Sequence, residues 1–173
     1  MKRICAWCRS VIEGGNSEND VVSHGICREC STNIIFQQGV SLPSYIESLD
    51  ISIVVVNNVG EVVAANAKAR QTVAEGFTNT HKPVRTGDVF ECQYARLPEG
   101  CGRTIHCSGC AIRRAIEKTF ETGEPQCMIP ATLRRKDPDH AKAVSLYITT
   151  VKSGAAVLLK IEHRDTDAAS HPK

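Results

Sequence analysis

Residues 51–56 (ISIVVV) form an apolar, β-branched run of strand length, which predicts a buried strand. Asn57, Asn58 and Gly60 supply a turn, and Glu61–Ala65 predicts a second strand, so the two make a hairpin. Asn66 then stands where a helix N-cap is wanted, ahead of a short helix of Ala and Arg. Residues 87–94 read as an irregular helical middle. Further on, Ile112, Ala115, Ile116, Thr119 and Phe120 recur at helical spacing and predict a helix over 108–121, with Gly123 as its C-cap and Pro125 just beyond. Three strands follow, at 125–134, 143–151 and 155–163, with Lys152, Ser153 and Gly154 turning between the last two. Ahead of the hairpin, 39–50 reads as a short helix, capped by Ser41 or Ser44 with Pro43 in its first turn. Its apolar face is Leu42, Tyr45, Ile46 and Leu49. That face either packs on its own domain or forms a homodimer seam. The polar end, 165–173, is expected to be disordered.

Composition narrows the function classes. A chain of 173 residues suggests one ordinary domain with an appendage. Lys and Arg number 21 against 19 Asp and Glu, a net charge of +2, which gives no argument for a nucleic-acid or membrane surface. Aromatic residues are only 5%, which argues against a stacking platform for single strands. No segment approaches the ~20 apolar residues that span a bilayer. Residues 1–8 have a charged start with no apolar run behind it, so no signal peptide is read and a cytoplasmic location is expected. The nine cysteines cannot all pair with one another. In a reducing compartment, paired cysteines point instead to metal or redox work.

Residues 1–38 are expected to form a first unit. Cys5-x-x-Cys8 is followed after eighteen residues by Cys27-x-x-Cys30, a spacing that reads as a tetrahedral zinc site. Four bonds to one ion replace a core that so short a segment cannot supply. His24 is expected beside the ion rather than on it, because four thiolates already complete the shell. A thioredoxin-type pair is excluded, since only four residues precede Cys5. Haem attachment is excluded too, because no C-x-x-C pair is followed by His. Ile4, Cys5 and Cys8, with Ser23, His24, Gly25, Ile26, Cys27 and Cys30, resemble a small cysteine motif found beside sensor domains in bacterial signalling proteins.

The strand, Asn-rich turn, second strand and Asn66-Ala67-Lys68-Ala69 resemble the opening of a PAS domain. The resemblance covers about 125 residues. It implies an α+β fold: a five-stranded antiparallel sheet with helices on one face, over 39–164, preceded by a zinc-ribbon-like unit. In such a domain the middle helices line a ligand cavity.

A second cysteine string lies in that middle region: Cys92, Cys101, Cys107 and Cys110, separated by eight, five and two residues. The last two form a C-x-x-C pair at the mouth of the predicted helix, where free N–H groups favour thiolates. Gly100 and Gly102 let the backbone bend around an inorganic core. With Gly87, Asp88, Val89, Phe90, Ile112 and Arg113 the string resembles a cysteine-rich subset of bacterial PAS sensors, and the resemblance implies ligands of a metal or iron–sulfur centre. Four thiolates suit a second zinc or a cluster, and three readings stay open: a redox-active centre or thiol switch, structural zinc, and free buried thiols. His106 would ligate, tune the site or sit in a plain loop. Arg113 and Arg114 are expected to face solvent or pair with Glu117 and Glu121. Cys127 is expected in the core.

These readings converge on a regulatory protein without catalysis of its own, whose cysteine cluster relays redox or metal status to a partner protein. No Ser–His–Asp set, phosphate loop or paired-carboxylate motif is readable in the sequence. Two other classes were weighed. One is a transcriptional regulator whose zinc unit binds DNA, against which Glu13, Glu18, Asp20 and Glu29 offset the basic residues. The other is a thiol oxidoreductase using Cys107 and Cys110.

Overall fold

The computed structural model describes residues 1–14, 21–30, 42–72, 84–136 and 141–163. The expected tail at 165–173, and residues 31–41 with Ser41, lie outside the described residues. The first unit is a small sheet in which β1 (Lys2–Cys5) is central, β2 (Val11–Glu13) runs antiparallel to it and β3 (Val22–Gly25) runs parallel. A zinc-ribbon-like unit was expected over 1–38; the described residues there form this mixed three-stranded sheet.

Then come α1 (Leu42–Glu47), β4 (Ser52–Asn57), β5 (Glu61–Ala65), α2 (Ala67–Thr72), β6 (Val84–Arg85) and α3 (Thr86–Val89). After two short 3-10 segments, α4 (Ala111–Thr122), β7 (Gln126–Lys136), β8 (Ala141–Ser153) and β9 (Ala156–His163) complete the described order. The large sheet runs β6-β5-β4-β9-β8-β7, with every neighbouring pair antiparallel. It has six strands where five were expected. The extra one, β6, contributes two residues opposite Glu61 and Val62, too few to show an alternating pattern in sequence.

The sheet is covered on both faces, which explains the unbroken apolar run at 53–56: all four residues are buried, as is Ser52 before them. Val54 and Val56 join Leu159, Ile161, Leu146, Ile148 and the stripe of α4 on one face. Ile53 and Val55 join Leu158, Val151, Trp7, Cys5 and Ile46 on the other. Helices therefore lie on both faces, where the sequence reading expected them on one. The helices α2 and α4 serve the first face, while α1 and the N-terminal unit cover the second. Ile46 is only 1% exposed, with Leu42, Tyr45 and Leu49 packed on the same cluster. The apolar face that offered a dimer seam is thus taken up by its own chain.

Asn66, itself buried, ties these layers together. Its Oδ1 accepts from Ala69 N at 2.9 Å, the expected N-cap, and from Ile53 N at 3.1 Å. Its Nδ2 donates to Ile51 O at 2.7 Å, Ile46 O at 3.0 Å and Leu49 O at 3.4 Å. At the far end of α4, Gly123 adopts φ 75°, the left-handed C-cap its position predicts. Thr119 fixes that helix to the sheet through a 2.7 Å bond with Thr150. None of the described helices is long and apolar enough to cross a membrane.

Candidate metal centre and cysteine-lined cavity

The parallel pairing of β1 with β3 sets Cys5 opposite Gly25, so the second cysteine pair begins where the first one turns. The turn after β1 is tied by Ala6 N donating to Gly25 O at 2.7 Å, Cys5 N to Ser10 O at 2.7 Å and Arg9 N to Cys5 O at 2.9 Å. Cys27 N donates to Cys5 Sγ at 3.3 Å, and Cys30 N to Cys27 Sγ at 3.4 Å. Cys8 Sγ lies 3.8 Å from Cys27 Sγ. The four sulfurs all lie within 4.8 Å of one another, and among the described residues this is the one set of ligand atoms so gathered.

The electrostatics fit a cation at their centre. Burial pushes the Cys30 thiol up, and the neighbouring thiols of Cys27, Cys8 and Cys5 add to it. Burial opposes ionisation of Cys8 as well, but hydrogen bonds from Ser10 outweigh it and lower its pKa to about 6. Crowded thiols of this kind ionise together only when a positive ion compensates them. Soft sulfur donors in a compact set of four suit zinc. His24 sits in β3 opposite Ile4 and is not one of the gathered donors.

The second string has a different geometry. Cys92, Cys101, Cys107 and Cys110 all line one cavity of about 610 Å³ between α4 and the sheet, together with Phe90 and Ile116. The charges of these thiols bear on one another, Cys107 on Cys101 and both Cys92 and Cys107 on Cys110, and their surroundings differ. Cys107 is buried, and its Sγ accepts from Gly102 N at 3.1 Å and lies 3.2 Å from Thr104 Oγ1. Burial opposes its ionisation, yet these bonds and the charge of Arg113 lower its pKa on balance. Cys101 packs against Gly87 so closely that a Cβ there would meet its Sγ at 2.5 Å. Burial raises the pKa of Cys101. Cys110 opens α4, but burial raises its pKa despite the helix amides of Arg113 and Ile112. The structure brings the four thiols to one cavity without the close mutual approach of the first set. His106, an exposed residue, stacks on Tyr94 with ring centroids 4.0 Å apart. Arg113 pairs with Glu117 at 2.6 Å, as its spacing suggested, and also donates to Gly102 O at 2.5 Å.

Three residues outside both strings matter to the first site. Lys160, in β9, is 1% exposed, and its Nζ donates to Ala6 O at 2.6 Å and Trp7 O at 3.2 Å. Burial lowers its pKa, and Glu162, 3.2 Å away, offsets part of that. Glu162 in turn pairs with Arg9 at 2.5 Å. The sequence held one further signal: a lysine inside the apolar run Val157–Ile161, where residues on both faces of the strand are apolar. Cys127 is half-buried at a bulge in β7, where Met128 has φ 54°, and burial raises its pKa. It is not the core residue expected of it.

No protein-family model matches the chain, and no curated protein matches it. Among solved structures the chain is similar to a PAS domain from Desulfitobacterium hafniense, at 12% identity over 69% of this chain and 98% of that one, with a TM-score of 0.37. It is also similar to a chain of the E. coli DhaR(N)-DhaL complex, at 13% identity over 71% of this chain and 34% of that one, TM-score 0.34. A third similarity is to an RNA-binding light-oxygen-voltage receptor, at 15% identity over 74% of this chain and 35% of that one, TM-score 0.37. The chain thus spans about a third of the length of the second and third of these. Similarity at this level assigns neither a family nor a function.

Proposed function

We propose that this chain is a sensory or regulatory module with two sulfur sites on opposite faces of one sheet. Zinc held by Cys5, Cys8, Cys27 and Cys30 organises the N-terminal unit. The cavity thiols, Cys92, Cys101, Cys107 and Cys110, hold a metal or iron–sulfur centre whose state is passed to a partner protein. The observation that carries the proposal is the gathering of the first four sulfurs within 4.8 Å, on the face opposite a cavity lined by four more cysteines. A redox-active centre in the cavity would supply the change of state that zinc cannot.

The chain's own residues supply the rest. Gly102 N–H and the Thr104 hydroxyl hold the Cys107 sulfur, and Cys110 sits at the start of α4. A change at these thiols therefore bears directly on the loop at 102–107 and on the helix. The Thr119–Thr150 bond and the apolar stripe of α4 carry that strain to the sheet. In this reading the loop at 102–107 and α4 together serve as the two-state element that the proposal requires.

Anaerobic purification with elemental analysis and an absorption spectrum tests it. Zinc in the first site, with iron, sulfide and visible absorption from the second, is the expected result. Zinc as the sole metal, with a colourless protein, eliminates the iron–sulfur reading. Metal-free protein under these conditions eliminates both.

A further inference from the structure

The turn Cys5-Ala6-Trp7-Cys8 supplies two of the four thiols, and its first two amides, of Cys5 and Ala6, are committed to Ser10 O and Gly25 O within the N-terminal unit. The carbonyls of Ala6 and Trp7 are instead taken by Lys160, a residue 153 positions away in the sequence from Trp7. An ammonium group has three N–H donors and accepts nothing. Lys160 finds three acceptors: Ala6 O, Trp7 O and Glu162 Oε2. It is therefore fully satisfied only while the turn is seated. Ile53, Val55 and Leu158 on that face of the sheet offer no acceptor in their side chains, and the hydroxyl of Thr149, opposite Lys160 in β8, already accepts from Met128 N at 3.2 Å. Four thiolates around a divalent ion also leave surplus negative charge, and Lys160 with Arg9 lies on that side of the sheet.

Resting on the zinc reading of the four-cysteine unit, we infer that Lys160 is a positioning residue for that centre. Its ammonium clamps the Cys5–Cys8 turn onto the sheet, so the ion's occupancy and the seating of the unit on β9 are linked. The linkage is reciprocal: loss of the ion frees the turn, and loss of the clamp loosens the ion.

The test uses the full chain loaded with zinc. Zinc affinity is measured by competition with a chromophoric chelator for the wild type, Lys160→Met and Ile46→Ala. Methionine keeps the bulk of the lysine stem but donates no hydrogen bond. Ile46 belongs to the same buried cluster, and its hydrocarbon side chain has no hydrogen bond to donate to either carbonyl. Lys160→Met is expected to lower zinc affinity about 10–100-fold, the usual cost of removing a group that orients metal ligands. Ile46→Ala is expected to lose much less. Unchanged affinity in Lys160→Met, or an equal loss in Ile46→Ala, overturns the inference.

Should Lys160→Met fail to fold, the wild type still decides. Acylation of Lys160 by an amine-reactive reagent, followed by mass spectrometry, is expected to be slow with zinc bound and at least about tenfold faster after chelation. Equal rates overturn the clamp. A wild type that takes up no zinc at the four cysteines is a different result, seen in elemental analysis alone, and removes the zinc reading along with the clamp.

Discussion

Two sets of four cysteines occupy opposite faces of one sheet, and they are built differently. In the N-terminal set, backbone pairing of β1 with β3 forces the sulfurs together, and amides of the same unit donate to two of them. In the cavity set the sulfurs line one wall without gathering so tightly, and two of them have partners of their own: Gly102 and Thr104 for Cys107, Gly87 for Cys101. The first arrangement is preorganised for a single ion. The second leaves a cavity of about 610 Å³, more room than one ion fills. Identical donor chemistry thus serves two geometries, and the backbone around the sulfurs, not the sulfurs, makes the difference.

The sharpest way to break this contrast is to remove one thiol from each set. Cys5→Ala removes a zinc ligand together with its place in the core, and should cost more than about 4 kcal/mol, with zinc lost and the N-terminal sheet opened. Cys107→Ala leaves the Gly102 amide and the Thr104 hydroxyl without their sulfur, for about 1–2 kcal/mol. Urea unfolding of aerobically purified protein, with zinc content read alongside, checks both. Equal losses would show that the cavity set also encloses a structural ion, and the contrast drawn above would fail.

What sequence revealed and what it hid divide along the same line. The hairpin, the Asn66 cap, the left-handed Gly123 and the i to i+4 pair Arg113–Glu117 were all readable, because each is a local matter of a few residues. The first cysteine set was readable because two C-x-x-C pairs at this spacing can close on one point, and the structure gathers their four sulfurs within 4.8 Å. The seating of that unit on the sheet was not, since Lys160 with Ala6 and Arg9 with Glu162 join opposite ends of the chain. Nor was the spread of the cavity thiols around their wall, because a cysteine spacing fixes which sulfurs can meet but not whether the surrounding loops bring them together.

Asn66 sharpens the comparison from between the two faces. Its amide serves α1 and the segment after it through Ile46, Leu49 and Ile51, and its oxygen serves β4 and α2. Asn66→Ala strands several buried backbone groups and removes a cap, for about 3 kcal/mol in total. Hydrogen exchange should quicken first at the amides of Ile53 and Ala69, while the Gly102 amide on Cys107 keeps its protection. Uniform loss of protection would mean the two faces do not open separately.

Gly87 probes the cavity wall alone. A Cβ at that position meets Cys101 Sγ at 2.5 Å and Ala95 Cβ at 3.2 Å. Cysteine is too short to swing clear, so Gly87→Ala should cost about 2 kcal/mol and displace the Cys101 sulfur. Gly109→Ala is the matched control, since nothing lies within 4 Å of the added carbon and its change should stay within about 0.5 kcal/mol. Thermal unfolding of the two variants separates crowding at Cys101 from any general intolerance of the loop. Zinc content at the N-terminal set should be the same in both.

The smallest expected effect concerns Arg113, and it compares the two sets within one experiment. The Arg113–Glu117 pair is half-exposed, and such pairs at helical spacing contribute about 0.3–0.5 kcal/mol, so Arg113→Ala should cost less than about 1 kcal/mol. Yet Arg113 reaches Gly102 O, and the amide of Gly102 reaches the Cys107 sulfur. Burial opposes the Cys107 thiolate, while Thr104, Gly102 and the Arg113 charge together hold its pKa below the ordinary value of 9.0. Removing Arg113 takes away one of those favourable contributions and loosens a second, so the pKa must rise. The thiolate fraction at neutral pH then falls, and alkylation of Cys107 by iodoacetamide slows there. In metal-free protein the midpoint of its rate-against-pH profile should move upward. Cys8, held near 6 by Ser10 on the other face of the sheet, is the internal reference and should not move. A parallel shift of both profiles would trace the change to the fold as a whole, whereas a fixed Cys107 profile would mean that Thr104 and the Gly102 amide set that thiol without Arg113.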